Sequence, residues 1–178
     1  MRRNRKLIVV DFDNTLFFTN RASFLASKEL LSRGLTHAGI HRLPEEIRRR
    51  IYHLAATKYG RHSILNNALR RRLARARDAE IMILTARHNS SDAHTKMLLV
   101  KHGLNISKFR SRSESEMNID DGQWKGRVIA RIAAGYQEVE VYEDKRGNIG
   151  YMRDAIGGRG VRATFYIVTP RSIRKVGG

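Results

Sequence analysis

The chain has 178 residues, of which 41% are hydrophobic, and its 35 Lys and Arg against 17 Asp and Glu give a formal net charge of +18. This length fits a single domain, residues 1–178, with room for a small insertion. No apolar stretch approaches the roughly 18 residues of a membrane-spanning helix. The chain has no Cys, which excludes disulfides and thiolate metal sites and favours a reducing compartment. No targeting segment is recognisable, so a cytoplasmic location is expected.

The excess positive charge lies in three blocks. Residues 1–10, 42–77 and 153–178 carry net charges of +4, +9 and +5, which account for the whole excess, and the rest of the chain is neutral. A solvated surface needs no such one-sided excess, so we interpret the blocks as contacts for a polyanion, most often nucleic acid. The first few residues are interpreted as a basic arm on the first strand.

Hydrophobic periodicity and turn residues predict strands separated by helices. The apolar run "KLIVVDF" predicts a buried strand, followed by helices over 21–34, 44–60 and 63–78, with a loop over 36–44. A strand is expected over 80–87, a helix over 91–103, a short strand over 106–109 and a polar loop over 110–122. The remaining elements are a helix over 123–135, a strand over 138–144, a helix over 148–158, a strand over 162–170 and a basic tail.

This alternation predicts an α/β fold of three layers, with a parallel sheet between two sets of helices. Ligands in such sheets bind beyond the carboxyl ends of the strands. The predicted strand ends carry polar side chains, namely Asp11 and Asp13, then Thr85, then Glu143 with Asp144. They therefore define one candidate site.

The residue types at this site suit phosphoryl transfer. Clustered carboxylates repel one another unless a cation holds them, and an oxygen-only site suits Mg²⁺. One aspartate would act as a nucleophile and a second, two positions on, as general acid and base. Thr85 with its neighbouring N–H groups would bind an anion, and Lys125 on the helix before the third of these strands would neutralise a phosphoryl oxygen.

Four motifs carry a family resemblance. "DFDNTL", "LTAR", the Lys in "QWKGRVI" and "YEDKRGN" occur in the order and strand contexts of the haloacid dehalogenase (HAD) superfamily. The chain resembles this superfamily over about residues 7–168. It is most similar to the small HAD phosphatase domains of nucleic-acid end repair, including the Swiss Army Knife RNA repair group.

The resemblance implies a HAD-like Rossmannoid sheet and a role for each site residue. Asp11 would form an aspartyl-phosphate, and Asp13 would protonate the leaving oxygen and then activate water. Thr85, Ala86 and Lys125 would hold the phosphoryl oxygens. Mg²⁺ would be held by the Asp11 carboxylate, the Asp13 backbone carbonyl and Asp144. Glu143 and Asn148 would assist without binding the metal directly. Ala86 stands where the family often has Gly, and Asn148 where many relatives have an acid or His.

The spacing of the motifs predicts an insertion. Asp11 and Thr85 are 74 residues apart, more than one strand and helix require. In this family an insertion there forms a cap, so residues 35–77 are predicted to be a small, basic, helical cap. A small cap leaves the site open and favours a polymer end over a small metabolite as substrate.

Two classes of function therefore remain. The first is a Mg²⁺-dependent phosphatase that acts on a nucleotide or on the terminal phosphate of a nucleic acid. The second is an RNA-binding or ribosome-associated protein that uses the HAD fold as a scaffold. RNA and DNA, the 3′ and 5′ ends, and hydrolysis and phosphotransfer all stay open. Arg87, Lys145 and Arg146 lie near strand ends, where they would contact substrate phosphates or be surface charges.

Overall fold

A six-stranded sheet forms the centre of the structure, a computed structural model that describes residues 5–177. The strands are β1 Lys6–Val10, β2 Phe17–Phe18, β3 Ile64–Leu65, β4 Ala79–His88, β5 Lys108–Arg112, β6 Glu138–Glu143, β7 Arg162–Thr169 and β8 Ser172–Lys175. The helices are α1 Asn20–Leu31, α2 His37–His41, α3 Glu45–Thr57, α4 Asn67–Arg75, α5 Asp92–Lys101, α6 Asp121–Ala133 and α7 Arg146–Ile156. The strand order is β5-β4-β1-β6-β7-β8, with β2 and β3 in a separate antiparallel ribbon.

The first strand lies in the middle of this sheet. It pairs in parallel with β4 on one side and with β6 on the other, so that Val10 faces both Ile83 and Tyr142. Leu7 to Val10 are each at most 2% exposed, because helices cover both faces of the sheet. A strand buried on both faces needs apolar residues at successive positions, which is why "LIVV" does not alternate.

Two apolar clusters on opposite faces of the sheet make the three layers. Leu7 and Val9 pack against α6 and α7 on one face, through residues such as Trp124 and Met152. Ile8 and Val10 pack against α4 and α5 on the other, through residues such as Leu69 and Leu98. The predicted fold class is therefore confirmed.

A third cluster joins α1, α2 and α3, which we call the helical unit (residues 20–57). Its buried side chains are small or β-branched: Ala22, Ala26, Ile40, Ile51 and Ala55. Helix α4 lies elsewhere, because Leu69 and Leu73 contact the sheet. The sequence interval 35–77 thus contains two of the three helices of this unit, α2 and α3, and one helix of the sheet layer, α4.

Four local predictions were wrong or incomplete. The expected loop 36–44 contains α2, whose first turn is capped by Thr36 Oγ1 accepting from the N–H of Gly39 at 3.2 Å. The helix expected from residue 63 begins at Asn67, after the short strand β3. The strand expected over 106–109 begins later, at Lys108, and ends at Arg112.

The fourth of these incorrect local predictions was the basic tail after residue 170. Ser172–Lys175 form β8, an edge strand antiparallel to β7. Of the expected basic arm, residues 1–4 lie outside the described residues. Between residues 5 and 177, no helix has both the length and the apolar character that crossing a membrane requires.

Candidate active site

A cleft of about 970 Å³ lies between the carboxyl ends of the strands and the helical unit. The structure brings most of the predicted site residues into this cleft: Asp11, Asp13, Ala86, Lys125, Glu143, Asp144 and Asn148. The helical unit supplies the facing wall, which includes His37, His41, Arg48, Arg49 and Tyr52. The cleft is therefore rich in acids on the sheet side and in cations and aromatic rings on the other.

The geometry of the cleft is set by an ammonium between two carboxylates. Lys125 Nζ donates to Asp11 Oδ1 and to Glu143 Oε2, each at 2.6 Å. Lys125 is 2% exposed and Glu143 1% exposed. Burial lowers the pKa of Lys125, but the two adjacent carboxylates outweigh that effect and raise it. For Glu143 the signs are reversed: burial raises its pKa, but the Lys125 ammonium outweighs the effect of burial, lowers the pKa and keeps Glu143 ionised.

The same ammonium also acts on the two remaining acids of this group, but it does not outweigh their burial. Burial raises the pKa of Asp11 to about 7, helped by the negative charge of Glu143. Burial, together with the nearby Asp11 carboxylate, raises the pKa of Asp144 to about 8. Three carboxylates therefore share one ammonium, and the full ionisation of all three is opposed by their mutual repulsion.

These three acids have the donor set of a hard divalent cation. One carboxylate oxygen from each of Asp11, Glu143 and Asp144 lies within 4.8 Å of the others. Three carboxylates against one ammonium leave two negative charges when all are ionised, which one divalent cation would neutralise. Oxygen donors without nitrogen or sulfur suit Mg²⁺. The residues present therefore fit the expected metal.

The loop after β1 holds both aspartates in place. Asn14 adopts a left-handed conformation with φ of 59°, which Asn tolerates better than most residues. Its backbone N–H donates to the carbonyl of Phe17 at 2.7 Å, which closes the loop. Thr15 Oγ1 donates to Asp11 Oδ2 at 3.1 Å. Asp11 therefore receives a hydrogen bond on each carboxylate oxygen.

Asp13 forms an ion pair with Arg87. Nε and Nη2 of the guanidinium each contact one Asp13 oxygen at 2.8 Å, a two-point contact. Burial raises the pKa of Asp13, but Arg87 outweighs it and lowers the pKa below its usual range. The sequence indicated only that Arg87 lay near a strand end. The contact depends on the alignment of β4 beside β1, across 74 residues.

The predicted phosphate-binding and supporting residues lie in different surroundings. Thr85 is fully buried, and its hydroxyl accepts from the N–H of Arg87 at 3.3 Å. Ala86, the next residue, lines the cleft. Asn148 Nδ2 and the Lys145 N–H both donate to Glu143 Oε1 at 3.2 Å. Asn148 therefore orients Glu143, and Thr85 supports the strand end.

The helical unit faces Asp13 with three rings. The Nε2 atoms of His37 and His41 are 2.9 Å apart, and both rings lie near Tyr52. Burial lowers the pKa of both histidines. The buried Tyr52 hydroxyl has no hydrogen-bond partner among the described residues, and burial, with the charge of Asp13, raises its pKa to about 12. This wall was not predicted from the sequence, because its residues come close only after α2 and α3 pack.

Comparison with solved structures identifies the class of fold. The chain has a HAD-like fold. Two structures of a Pnkp1/Rnl/Hen1 complex, one described as an RNA repair complex, match with a TM-score of 0.62, 17% and 16% identity, and 95% of this chain covered. This chain spans 47% and 44% of those matched chains.

Two further structures match over nearly their whole length. A HAD-superfamily hydrolase of subfamily IA from Geobacter sulfurreducens matches with a TM-score of 0.58 and 13% identity, covering 91% of this chain and 86% of that one. The HAD-hydrolase YfnB from Bacillus subtilis, bound to magnesium, matches with a TM-score of 0.55 and 16% identity, covering 91% and 88%. No family model matches the sequence, and no curated protein matches it significantly.

Proposed function

We propose that the protein is a phosphomonoester hydrolase in which Asp11 is the nucleophile. The observation that carries this proposal is the grouping of Asp11, Lys125, Glu143 and Asp144 in one cleft, with Asp13 two residues beyond Asp11. Asp11 is oriented through both carboxylate oxygens, so its attack on a phosphorus atom requires little reordering. The HAD-like fold of known hydrolases supports the same reaction class.

We propose Mg²⁺ as the cofactor, held by the Asp11 and Asp144 carboxylates and the Asp13 backbone carbonyl. When bound, the ion would neutralise part of the acidic cluster and polarise a phosphoryl oxygen. Glu143 would remain with Lys125 and Asn148, to which it is already hydrogen-bonded. The solved structure of YfnB with magnesium supports this assignment.

The reaction would proceed in two displacements. An Asp11 oxygen forms a bond to phosphorus while the ester P–O bond breaks, and Asp13 gives a proton to the departing alcohol oxygen. Water then attacks the aspartyl-phosphate, gives a proton to Asp13 and releases inorganic phosphate and the Asp11 carboxylate. Lys125 and the backbone around Thr85 and Ala86 would hold the phosphoryl oxygens during both steps.

Arg87 opposes the proton-donating role of Asp13 in the free protein. Because the ion pair lowers the pKa of Asp13, we propose that Arg87 moves towards the phosphoryl oxygens when substrate binds and so releases the carboxylate. Arg87→Gln should raise the pKa of Asp13 and move the alkaline limb of the kcat/KM profile to higher pH. Arg87→Lys keeps the charge and should move it less. An alkaline limb that stays in place in Arg87→Gln would contradict this role.

Metal binding should depend on pH in a defined direction. The folded-state pKa of Asp144 is raised from 3.8 to about 8, so without metal this carboxyl increasingly destabilises the fold as pH rises from about 4 to about 8. Mg²⁺ would relieve that cost. We expect Mg²⁺ to raise the melting temperature by about 3–6 °C at pH 8.5 and by less at pH 6.

Asp144→Asn tests this assignment. The variant should lose most of the Mg²⁺-dependent rise and, in chelator at pH 8.5, should melt above the wild type. Asp78→Asn, at an exposed acid, is the control and should behave as the wild type. A full Mg²⁺ response in Asp144→Asn, measured by scanning fluorimetry, would rule out Asp144 as a ligand.

We propose a nucleic acid or nucleotide as the substrate, and the helical unit with its flanking turns as the cap over the site. The net charge of +18 favours a polyanion, and Arg48, Arg49 and Lys145 line the cleft beside the acids. The likeness to the Pnkp1/Rnl/Hen1 RNA repair complex supports the same class of substrate.

A phosphate-release panel tests the proposed function. It compares oligonucleotides phosphorylated at the 3′ or 5′ end with mononucleotides and sugar phosphates, each with Mg²⁺ and with chelator. We expect Mg²⁺-dependent release, fastest from one of the oligonucleotide ends. Salt-sensitive RNA binding without release from any substrate would instead favour the second function, an RNA-binding protein on a HAD scaffold. The exposed arginines of α4, Arg70, Arg71 and Arg75, fit that function.

A further inference from the structure

A buried arginine at the edge of the sheet takes no part in the proposed hydrolysis. Arg112 ends β5, where it pairs in register with His88 of β4. It is 3% exposed, yet it lines the same cleft as Asp11 and Asp144. Its guanidinium lies over the ring of Trp124, 5.1 Å from the ring centre. The position places a fixed positive charge on the cleft wall beside the strand that carries Thr85.

The guanidinium of Arg112 is incompletely satisfied. Among the described residues, its Nε and Nη2 atoms are buried without a hydrogen-bond partner. Asp121 Oδ1 lies 3.1 Å from Nη2, an ion-pair distance without hydrogen-bond geometry. Burial lowers the pKa of Arg112. Buried polar N–H groups without partners are costly and uncommon in native proteins, and Arg112 also lines the cleft, which makes its guanidinium a candidate for completion by a ligand.

A second cation lies on the other side of the same acid. Lys145 Nζ is 3.3 Å from Asp121 Oδ2, and Lys145 also lines the cleft. Asp121 thus joins the two cations, while Asp120 and Glu116 also act on Arg112 and Asp144 acts on Lys145. Lys145 directly follows Asp144, so this pair of cations adjoins the acidic cluster.

The chemistry of this pair matches a phosphate. A guanidinium presents parallel N–H donors that fit two oxygens of one phosphate, and a lysine adds a point charge. We propose that Arg112 and Lys145 bind a second phosphate of the substrate, so that the preferred substrate carries a phosphodiester next to its terminal phosphomonoester. This inference rests on the proposed function, because it assigns the substrate class of the same cleft.

The kinetic experiment compares two substrates of the wild type, Arg112→Gln and Arg112→Lys. One is p-nitrophenyl phosphate, which has a single phosphate, and the other is a dinucleotide with a terminal phosphate. Arg112→Gln should lower kcat/KM for the dinucleotide by about tenfold to a hundredfold, mainly through KM, and change p-nitrophenyl phosphate turnover by less than about twofold. Arg112→Lys, which keeps the charge, should lower kcat/KM for the dinucleotide by a smaller factor.

Arg110→Gln is the matched control. Arg110 lies on the same strand and contacts Trp124, but its guanidinium pairs with Glu116. Arg110→Gln should have kcat/KM values close to those of the wild type on both substrates. An equal loss on both substrates in Arg112→Gln would show a structural role, and unchanged kinetics on both would show that the second phosphate is not bound here. Either result overturns the proposal.

A binding experiment separates this proposal from the proposed function. A fluorescent dinucleotide with an internal phosphodiester and no terminal phosphate cannot be hydrolysed as a monoester. Its dissociation constant, measured by anisotropy, should rise by about tenfold in Arg112→Gln and stay near wild type in Arg110→Gln. Inorganic phosphate should compete weakly with the fluorescent dinucleotide for binding. This loss is expected even if no phosphomonoester is turned over, and equal binding by wild type and Arg112→Gln would overturn the second site.

Discussion

Asp11→Asn should lower phosphate release by at least about a thousandfold while leaving the fold intact. The amide has the shape of the carboxylate but is not a nucleophile. Its neutral charge also removes a carboxyl whose pKa is raised by burial to about 7, so the metal-free variant should be at least as stable as the wild type above pH 7. A loss of activity without a loss of stability would separate a chemical role from a structural one.

Phosphate release and thermal melting on the same samples check this expectation. Asp154→Asn, at an exposed acid on α7, is the control and should be unchanged in both. Hydroxylamine should trap the aspartyl-phosphate in the wild type and find none in Asp11→Asn. Release above a tenth of the wild-type rate in Asp11→Asn would exclude Asp11 as the nucleophile.

Lys125→Met should produce the largest loss of stability. Lys125 is 2% exposed and contacts Asp11 and Glu143 at 2.6 Å each, so its removal leaves buried carboxylates without their counter-ion. Breaking a buried ion pair in this way costs about 3–5 kcal/mol. Activity should fall by about a hundredfold or more, because the variant loses the charge that we propose stabilises the transferred phosphoryl group.

The pH dependence of this loss has a defined sign. The pKa of Lys125 is raised in the folded state, so its stabilising contribution is complete below 10.5 and would be lost only as pH rises through the folded-state pKa. In Lys125→Met the unpaired acids take up protons at low pH. The free energy of unfolding should therefore approach that of the wild type near pH 5 and fall furthest below it at pH 8.

Chemical denaturation in chelator measures this difference. Lys125→Met with Glu143→Gln removes one of the stranded charges and should recover part of the loss. Lys101→Met, at an exposed position, should have no such effect. If the losses of Lys125→Met and Glu143→Gln simply add, the ion pair is not the source of the stability.

The sequence predicted the parts of the fold that local pattern determines. The unbroken apolar run of β1 indicated burial on both faces, and the acids after it indicated a strand end in a cleft. Thr36 and the short helix it caps were missed because five residues are too few for a clear periodicity. Ser172–Lys175 were interpreted as a tail because their strand exists only beside β7.

The contacts that define the candidate site were less predictable than its residues. Asp11 and Asp144 were identified from their motifs, but the two-point contact of Arg87 with Asp13 follows from the lateral alignment of two strands. The buried state of Arg112 follows from the packing of α6 beneath it, through Trp124. Both contacts form only when separate strands and helices pack together, so no local sequence pattern predicts them.

The central position of β1 has a consequence for how the site forms during synthesis. Val10 pairs with Tyr142, so one hydrogen-bonding edge of β1 stays unpaired until β6, Glu138–Glu143, has emerged from the ribosome. Asp144 arrives only after that partner strand. A nascent chain therefore contains Asp11, the proposed nucleophile, long before it contains Asp144, the proposed metal ligand, and contacts this distant in sequence form slowly. If the proposed function holds, we expect no hydrolysis by an incomplete chain that ends before β6.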